Sequence, residues 1–424
     1  MANTQEKKSG ALVAIIAMMF LFAMISFVTN MAAPFGTIWN QQYKWAGMVG
    51  NLANFAAYLF MGIPAGILIT RIGYKKTGLV ALALGFIGIG VQYISSTLDI
   101  SEIGTYVVYL LGAFICGFCV CILNTVVNPM LNLLGGGGNK GNQLIQTGGS
   151  LNSLAATLTP MLVGSMIGEI TKETSLVDVQ PLLLIALGIF AASFVIIFFT
   201  KIEEPDAEST NVIEGIKGAI SYRHLVLGII AIFFYVGIEV GIPGQLLFYL
   251  SEPSGVLGSA KIAGAIAGIY WLLMLVGRFT SAFISGKVSS RTQLTSVSLF
   301  AIILLIVAIV LPEANKINMP ILDIKDFGIN YAEVPVKVLF IILCGLCTSV
   351  MWGVIFNLAT EGLGKYTAAA SGLFMTMVVG GGVMPLIQNL AAESIGYINS
   401  YWIIVAMLAF ILFYAVSGSK IKKA

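Results

Sequence analysis

Long apolar stretches separated by short polar segments run through the whole sequence. A helix needs about 20 mostly apolar residues to cross a bilayer, and the chain contains twelve such stretches. The pattern therefore predicts twelve membrane-spanning helices, at residues 11–35, 45–70, 77–97, 105–130, 143–168, 181–200, 224–250, 261–286, 292–312, 335–358, 367–391 and 399–418. The first stretch is longer than the apolar core of a signal peptide, so we expect it to stay in the mature protein.

The composition excludes a water-soluble fold. Of the 424 residues, 58% are apolar and 10% are charged, against roughly 45 to 50% and about 25% in soluble globular proteins. So few charges cannot coat a globule of this size, whereas lipid requires no polar coat. We therefore expect an integral membrane protein whose main partner is the lipid bilayer.

Positive charge is distributed unevenly between the two sides of these spans. If the amino terminus is inside, the inner segments hold fifteen Lys and Arg residues and the outer segments hold six. Positive charge near a span resists translocation, so the pattern predicts cytoplasmic termini, an even number of spans and a location in the cytoplasmic (inner) membrane. No basic cluster is interleaved with aromatic residues, which argues against a nucleic-acid partner.

Residues for catalysis are scarce. His224 is the single histidine, and the five cysteines all lie inside apolar stretches. The sequence therefore offers few residues that could ligate a metal or form a Ser-His or Cys-His nucleophile. We therefore expect no enzyme activity, no metal and no cofactor.

One charged segment divides the chain. Residues 201–222 begin with Lys-Ile-Glu-Glu-Pro-Asp and form the clearest linker. It separates residues 1–200 from residues 223–424, each with six predicted spans. Six spans plus six is the arrangement of two parallel repeats related by an axis along the membrane normal.

Short basic turns recur at matching places in the two halves. The first follows the second span and contains Gly66, Arg71, Gly73 and Lys75; the second follows the eighth span and ends at Arg291. This Gly-basic-Gly-basic pattern resembles the loop between the second and third helices of the major facilitator superfamily. The resemblance implies gating or structural roles for Gly66, Arg71, Gly73, Lys75, Arg278 and Arg291.

Further stretches resemble the fucose:proton symporter family of sugar transporters within that superfamily. They are Leu123–Pro129, Phe234–Val240 and Gly380–Gln388, supported in matching order by Ile63–Leu68, Asn152–Leu154 and Gly277–Phe279. The resemblance covers nearly the whole chain. It implies an all-α membrane protein with twelve helices in the major facilitator fold, which we expect to be a monomer importing a sugar by alternating access.

Two acidic positions of the family pattern are amides in this chain. The motif of the fourth span carries glutamate where this sequence has Asn124, and the polar end of the first span, acidic in a member of the family, reads Thr29-Asn30. A carboxylate takes up a proton within the working pH range and an amide does not. Coupling to protons, coupling to sodium and uncoupled transport all remain open.

Two ionisable residues lie at membrane depth, where charge is costly and therefore indicates function. Glu239 lies about sixteen residues into the seventh span, and Arg278 about thirteen residues before Arg291. At 1.5 Å per residue, the long arginine side chain can reach the carboxylate if the helix faces agree. Glu239 is the candidate for ion coupling; the alternative is a structural pair that fixes the seventh span against the eighth.

A sugar site needs amides to pair with hydroxyls and an aromatic face for the ring. Asn124 and Asn128 share a helix face because they lie four residues apart. The family's glutamine in the fifth span corresponds to Gly149 here, and Gln146 lies one turn earlier. Trp352 is the candidate for stacking, ahead of Tyr235 and Tyr270. The predicted ligands are Asn30, Asn124, Asn128, Gln146, Asn152, Gln245, Trp352, Asn357 and Gln388; each amide has the alternative of an ordinary interhelical hydrogen bond.

Glycines spaced one helical turn apart are expected to allow close helix contact. Such positions include Gly264 with Gly268 and the run Gly380 to Gly382. Taken together, the sequence predicts a carrier for a hexose or related monosaccharide. A carrier of another small solute on the same fold is the alternative, since fold does not fix substrate.

Overall fold

The structure is a computed structural model that describes residues 11–30, 46–167, 176–200, 202, 212–251, 260–323 and 328–421. The chain ends, residues 31–35 of the first predicted span, and residues 201 and 203–211 of the predicted linker lie outside the described residues. The helices are α1 (Ala11–Asn30), α2 (Ala46–Ser95), α3 (Glu102–Leu134), α4 (Gly138–Ile167), α5 (Gln180–Phe199), α6 (Val212–Ile220), α7 (Arg223–Ser251), α8 (Ala260–Ile284), α9 (Ser290–Val310), α10 (Val336–Thr360), α11 (Thr367–Thr376), α12 (Gly380–Ile395) and α13 (Tyr397–Phe413).

Ten helical stretches among the described residues are long and apolar enough to cross a membrane. One of them contains the second and third predicted spans, because α2 continues through the basic turn with a single non-helical residue, Gly73 (φ 82°, ψ 172°). The fifth predicted span, α4, is not among the ten and is rich in Gly, Ser, Thr, Asn and Gln. With both arms of α2 and α4 counted, the structure contains the twelve predicted spans.

The burial pattern is the reverse of that in a soluble protein. Large apolar side chains such as Phe199 and Val310 are 78% and 72% exposed, whereas polar side chains such as Asn128 and Thr125 are fully buried. Apolar surface is compatible with lipid, and polar groups must then find partners inside the protein. The sequence-based prediction of a membrane protein is confirmed.

A β-hairpin between α9 and α10 was not predicted. Strand β1 (Lys316–Asp323) pairs in antiparallel register with β2 (Gly328–Pro335), with Met319 opposite Ala332. Met319 and Ala332 are buried, whereas Tyr331 is 70% exposed. This alternation has the two-residue period of a strand with one buried face, which a search for long apolar stretches does not detect.

The eleventh predicted span is interrupted. It consists of α11, a 3₁₀ turn at Met377–Val379 and α12, rather than one continuous helix. At the junction Gly380 lies so close to α7 that an added Cβ would meet the backbone carbonyl of Phe233. The expected close contact therefore occurs at Gly380. At Gly264 and Gly268 it does not, because no described atom lies within 4 Å of an added Cβ.

Contacts divide the chain into two compact units. Unit 1 contains the described parts of Met1–Gly137, Leu154–Ser221 and Gly362–Val379. Within it α2 packs on α3, α5 and α11, and the short helix α6, which forms the described part of the predicted linker, packs on α11.

Unit 2 contains the described parts of Gly138–Ser153, Tyr222–Glu361 and Gly380–Ala424. Within it α10 packs against α7, α8 and α9, while α12 and α13 pack on α7. The first sixteen residues of α4 also belong to this unit. The division of the sequence at the linker into residues 1–200 and 223–424 stays a prediction about domain organisation.

Candidate functional site

A buried ion pair joins α7 and α8 in unit 2. The Arg278 Nη2 atom on α8 is 3.0 Å from the Glu239 Oε1 atom on α7, and the two side chains are 11% and 14% exposed. A charge at membrane depth is expensive unless it is paired. The contact predicted from the depths of these two residues therefore forms, and each charge is neutralised by the other.

The same guanidinium binds α4 and α10. Arg278 Nη1 donates to Ser153 Oγ at 2.9 Å and to Asn152 Oδ1 at 3.3 Å. Its Nη1 and Nε atoms also lie 3.4 Å from the carbonyl oxygens of Gly149 and Ser349. Since the guanidinium carries five donors in a fixed plane, one side chain connects four helices. Asn152, predicted to bind sugar, accepts a hydrogen bond from the arginine.

Gly149 makes room for the arginine on α4. A Cβ added at this position would lie 3.5 Å from Arg278 Cδ, an ordinary van der Waals distance. Any longer side chain would enter the space that the arginine stem occupies. The resemblance to sugar symporters places a glutamine at this position, where this chain has glycine.

An aromatic pair adjoins the ion pair. Tyr235 precedes Glu239 by one turn of α7, and its ring centroid is 6.2 Å from that of Trp352 on α10. Tyr235 is fully buried, and its hydroxyl lies close enough to the Glu239 carboxylate and the Arg278 guanidinium to interact with both. A hydroxyl and two charged groups beside an aromatic face are groups that can bind a sugar. Tyr235 therefore joins Trp352 as a candidate ligand-binding residue.

The other predicted ligands in unit 2 each make a contact between helices. Gln146 donates to the carbonyl of Val350 at 2.8 Å. The remaining amides donate to polar side chains on neighbouring segments: Asn357 to Ser290, Gln245 to Asn389 and Gln388 to Ser400. The Oε1 atoms of Gln245 and Gln388 have no partner among the described residues.

In unit 1 two of the predicted ligands, Asn124 and Asn128, are linked by hydrogen bonds. Asn124 Nδ2 on α3 donates to the Tyr58 hydroxyl on α2 at 3.0 Å, and Asn128 Nδ2 donates to the Asn124 carbonyl at 2.8 Å. Asn30 donates to the carbonyl and hydroxyl of Ser26 within α1. The position that is glutamate in the family pattern is therefore an amide with a tyrosine partner.

Removing the hydroxyl of Tyr58 tests whether this pair is stabilising. We expect Tyr58→Phe to lower the free energy of unfolding by about 1 kcal/mol, because Asn124 loses a buried hydrogen bond. Denaturation in detergent micelles measures the change. Tyr93→Phe, on the same helix, is the matched control, and an equal loss in both variants would contradict the expectation.

The lysine and arginine residues of the basic turns contact neighbouring helix ends. Lys75 Nζ donates to the Phe198 carbonyl at the end of α5 at 2.9 Å, and Arg291 Nε donates to Ser419 Oγ at 3.2 Å. Arg71 is exposed. Gly66 allows α11 to approach α2, since an added Cβ would lie 2.8 Å from the Ala368 carbonyl oxygen. Their gating roles stay predictions.

Ser153 and Tyr58 were not among the predicted site residues, and Tyr235 was a weaker candidate for stacking than Trp352. Tyr235 shares a helix face with Glu239 because the two lie four residues apart. Ser153 directly follows the predicted ligand Asn152 but projects the hydroxyl that Arg278 approaches most closely. No polar motif surrounds Tyr58 in the sequence, so the sequence did not indicate it as a site residue.

Comparison with known proteins agrees with this architecture. The chain is 28% identical to a glucose/galactose transporter of Brucella abortus biovar 1 (strain 9-941), over 99% of this chain and 96% of that protein. It is 22% identical to the L-fucose-proton symporter of Escherichia coli K12, over 94% of this chain and 90% of that protein.

A solved structure shares the fold. The crystal structure of a variant of the E. coli fucose:proton symporter superimposes with a TM-score of 0.79 at 20% identity, covering 97% of this chain and all of that chain. The sequence profile of the Major Facilitator Superfamily matches residues 11–384. The chain therefore belongs to the major facilitator superfamily, whose members are transporters rather than enzymes.

Proposed function

We propose that this protein imports a monosaccharide by alternating access and that Glu239 couples the transport to an ion. The observation that carries the proposal is the Glu239–Arg278 ion pair, buried beside the hydroxyl of Tyr235 and the ring of Trp352. Charged and hydroxyl groups next to an aromatic face are what recognition of a sugar requires. Ionisable groups at this depth characterise the substrate and ion pathways of transporters.

The chemistry of the relatives supports the substrate class. The Brucella protein is a glucose/galactose transporter and the E. coli protein is an L-fucose-proton symporter. Both align along almost the whole of this chain. A hexose or a deoxyhexose is therefore the class of substrate that we propose.

We propose cytoplasmic termini and a location in the inner membrane. The excess of fifteen Lys and Arg over six on the predicted inner side supports this topology. Imported monosaccharide would then enter from the outer side and leave on the cytoplasmic side. We propose that the monomer is the transporting unit, as expected from the sequence.

The coupling residue differs from that in the family pattern. Asn124 and Asn30 are amides and form hydrogen bonds to Tyr58 and Ser26. Neither amide can carry a proton between pH 5 and 8. Glu239 is the carboxylate of the central cluster, so we assign ion coupling to it.

Uncoupled transport is the competing function. It is favoured by the fact that Glu239 already has a partner in Arg278, as a purely structural ion pair would. In that case the sugar would equilibrate across the membrane without accumulating.

The test is uptake into liposomes that contain the purified full-length chain. Labelled glucose, galactose and fucose are supplied under an imposed proton gradient, a sodium gradient or no gradient. We expect saturable uptake of at least one sugar, with accumulation above equilibrium under one gradient. Absence of saturable uptake of all three would overturn the sugar assignment, and saturable uptake that never exceeds equilibrium would establish the uncoupled alternative.

Trp352 is expected to stack against the sugar ring. We expect Trp352→Ala to raise KM for the transported sugar about tenfold, since loss of an aromatic contact is worth roughly 0.5 to 1.5 kcal/mol beyond burial. Initial rates of uptake provide KM. Trp402, which is 47% exposed on α13, supplies the matched control: a similar change of KM in Trp402→Ala would contradict a specific role for Trp352.

A further inference from the structure

We propose that Asn142 on α4 binds the sugar as it leaves, at a second site that forms between α4 and α10 on the cytoplasmic side of the ion pair. The assignment rests on the proposed function of sugar import and on the proposed topology, which places the amino end of α4 at the cytoplasmic face. Asn142 was not among the predicted ligands. Its side chain is a buried amide that has no hydrogen-bond partner among the described residues.

Asn142 differs from the other buried amides. Its side chain is fully buried, and neither the Oδ1 nor the Nδ2 atom has a hydrogen-bond partner. Among the described residues it is the one buried side chain with two such atoms. Buried polar groups are nearly always paired, because an unmade hydrogen bond costs the full desolvation of the group. Inside a membrane protein, lipid cannot supply the missing partner.

The neighbour of this amide on α10 is a glycine. A Cβ added at Gly353 would lie 3.2 Å from Asn142 Oδ1 and 2.9 Å from Gln146 Nε2. Gln146, one turn further along α4, donates to the Val350 carbonyl at 2.8 Å. Two amides therefore face the same glycine, and the one nearer the amino end of α4 is the unpaired one. Gly353 permits the close approach of α10 that encloses Asn142.

Asn142 lies at one end of a polar stripe on α4. The stripe consists of Asn142, Gln146, Gly149 and Ser153, whose spacing of four, three and four residues places them on one helix face. Its other end is at the ion pair, since Ser153 accepts from Arg278 Nη1 at 2.9 Å. At 1.5 Å per residue the stripe is about 16 Å long. A face that only joined helices could be apolar, whereas a face along which a sugar passes must offer polar groups.

The unpaired amide favours separation of α4 from α10. The stripe belongs to Gly138–Ser153, the part of α4 whose contacts lie within unit 2. When this part moves away from α10, Asn142 gains partners in water or sugar, and closure removes them again. A sugar that binds Asn142 in the separated state shifts the population towards that state. Such a residue therefore acts where the sugar is released.

A sugar satisfies this amide better than an ion does. Asn142 carries an oxygen that accepts and an NH₂ group that donates hydrogen bonds. A cation would pair with the oxygen and leave the nitrogen unpaired, and an anion would do the reverse. A hydroxyl both donates and accepts, so neighbouring hydroxyls of one sugar ring can pair with both atoms. The ligand class is therefore a neutral molecule with several hydroxyls.

The test measures KM separately at the two faces of the membrane. The full chain is reconstituted in one orientation, and exchange of labelled glucose, galactose or fucose, whichever it carries, is measured from the outer and from the inner side. We expect Asn142→Ala to raise the inner KM about five- to tenfold, as the loss of one hydrogen bond does, without raising the outer KM. Asn142→Ser, which keeps a donor and an acceptor, should show a smaller rise.

Two further variants distinguish sugar binding from a structural role. Thr147→Val is the matched control on α4, because the Thr147 hydroxyl donates within the helix to the Gln143 carbonyl, and it should leave both KM values unchanged. Asn142→Leu, of similar size, should raise the melting temperature in detergent by about 2 °C and slow exchange, since it removes an unpaired amide from the packed state. A purely structural amide would instead lose stability on substitution and leave KM unchanged.

Accessibility of the position provides an independent measurement. The five native cysteines are buried, so a cysteine introduced by Asn142→Cys can be labelled selectively. A membrane-impermeant maleimide should react with it from the cytoplasmic face, and faster when the transported sugar is present. Reaction from the outer face alone, or no effect of sugar on the rate, would contradict a site that opens during release.

The outcomes separate this second site from the proposed function. Wild-type protein that carries none of the three sugars overturns the proposed function itself. Wild-type protein that carries a sugar, with an inner KM that Asn142→Ala leaves unchanged or an outer KM that it raises equally, overturns the second site and leaves sugar import standing. If Asn142→Ala does not fold, Asn142→Ser takes its place, and the absence of any rise in its inner KM overturns the assignment.

Discussion

Replacing Arg278 with methionine is expected to abolish accumulation of sugar and to lower the free energy of unfolding by about 3 to 5 kcal/mol. The variant leaves the carboxylate of Glu239, whose side chain is 14% exposed, without its cation. It also removes the donors that serve Ser153 and Asn152 on α4. Loss of one partner of a buried pair costs more than the pair contributes, because the remaining charge stays desolvated.

The double variant distinguishes this cost from a general packing defect. In Glu239→Gln with Arg278→Met no charge remains at the centre of the cluster, so we expect it to recover most of the lost stability but no ion-driven accumulation. Lys287→Met, which removes an exposed charge just beyond α8, is the control for loss of a cation. Unfolding in detergent and uptake in liposomes provide the two measurements. A double variant as unstable as Arg278→Met would show that the unpaired carboxylate is not the cause.

Substituting Gly62 with alanine is expected to be the second most damaging change. The α2 helix approaches α11 so closely at this residue that an added Cβ would lie 2.7 Å from the Thr376 Cα atom. Backbone atoms cannot rotate away as a flexible side chain can, so the two helices must separate. Overpacking of this kind typically costs about 1 to 3 kcal/mol, and it displaces α11 at the junction that leads into α12.

A matched control exists on the same helix. Gly90 also lies in α2, and no described atom is within 4 Å of a Cβ added there. Gly90→Ala should therefore leave thermal stability in detergent and uptake in liposomes close to wild type. If the two alanine variants behave alike, the close approach of α2 and α11 does not limit stability or transport.

The predictable part of the fold is the part that depends on local composition. The spans were evident because each stretch of about 20 apolar residues must enter lipid wherever its neighbours lie. The hairpin at Lys316–Pro335 was missed because its signal is an alternation of single residues over eight positions. The break at Met377–Val379 was missed because the apolar stretch continues through it.

The candidate site was only partly predictable. Glu239 and Arg278 could be singled out because charge in hydrocarbon has to be explained by function or by pairing. The sequence could not show which amides belong to the site and which only join helices, because Gln146 and Asn152 have the same capacity for hydrogen bonds. In the folded chain Gln146 holds the Val350 carbonyl, whereas Asn152 contacts Arg278, 126 residues away in sequence.

The sequence by itself determined that this protein lies in a lipid bilayer and how many spans it has. It also identified Glu239 and Arg278 as two charges that need a partner at membrane depth. The tertiary structure decided which polar groups meet: that one guanidinium joins Glu239 to α4, that Gly149 leaves space for it, and that the Tyr235 hydroxyl lies beside this ion pair. The physical reason is that transfer into lipid depends on each segment's own composition, whereas a hydrogen bond depends on distances between atoms that only the packed helices fix.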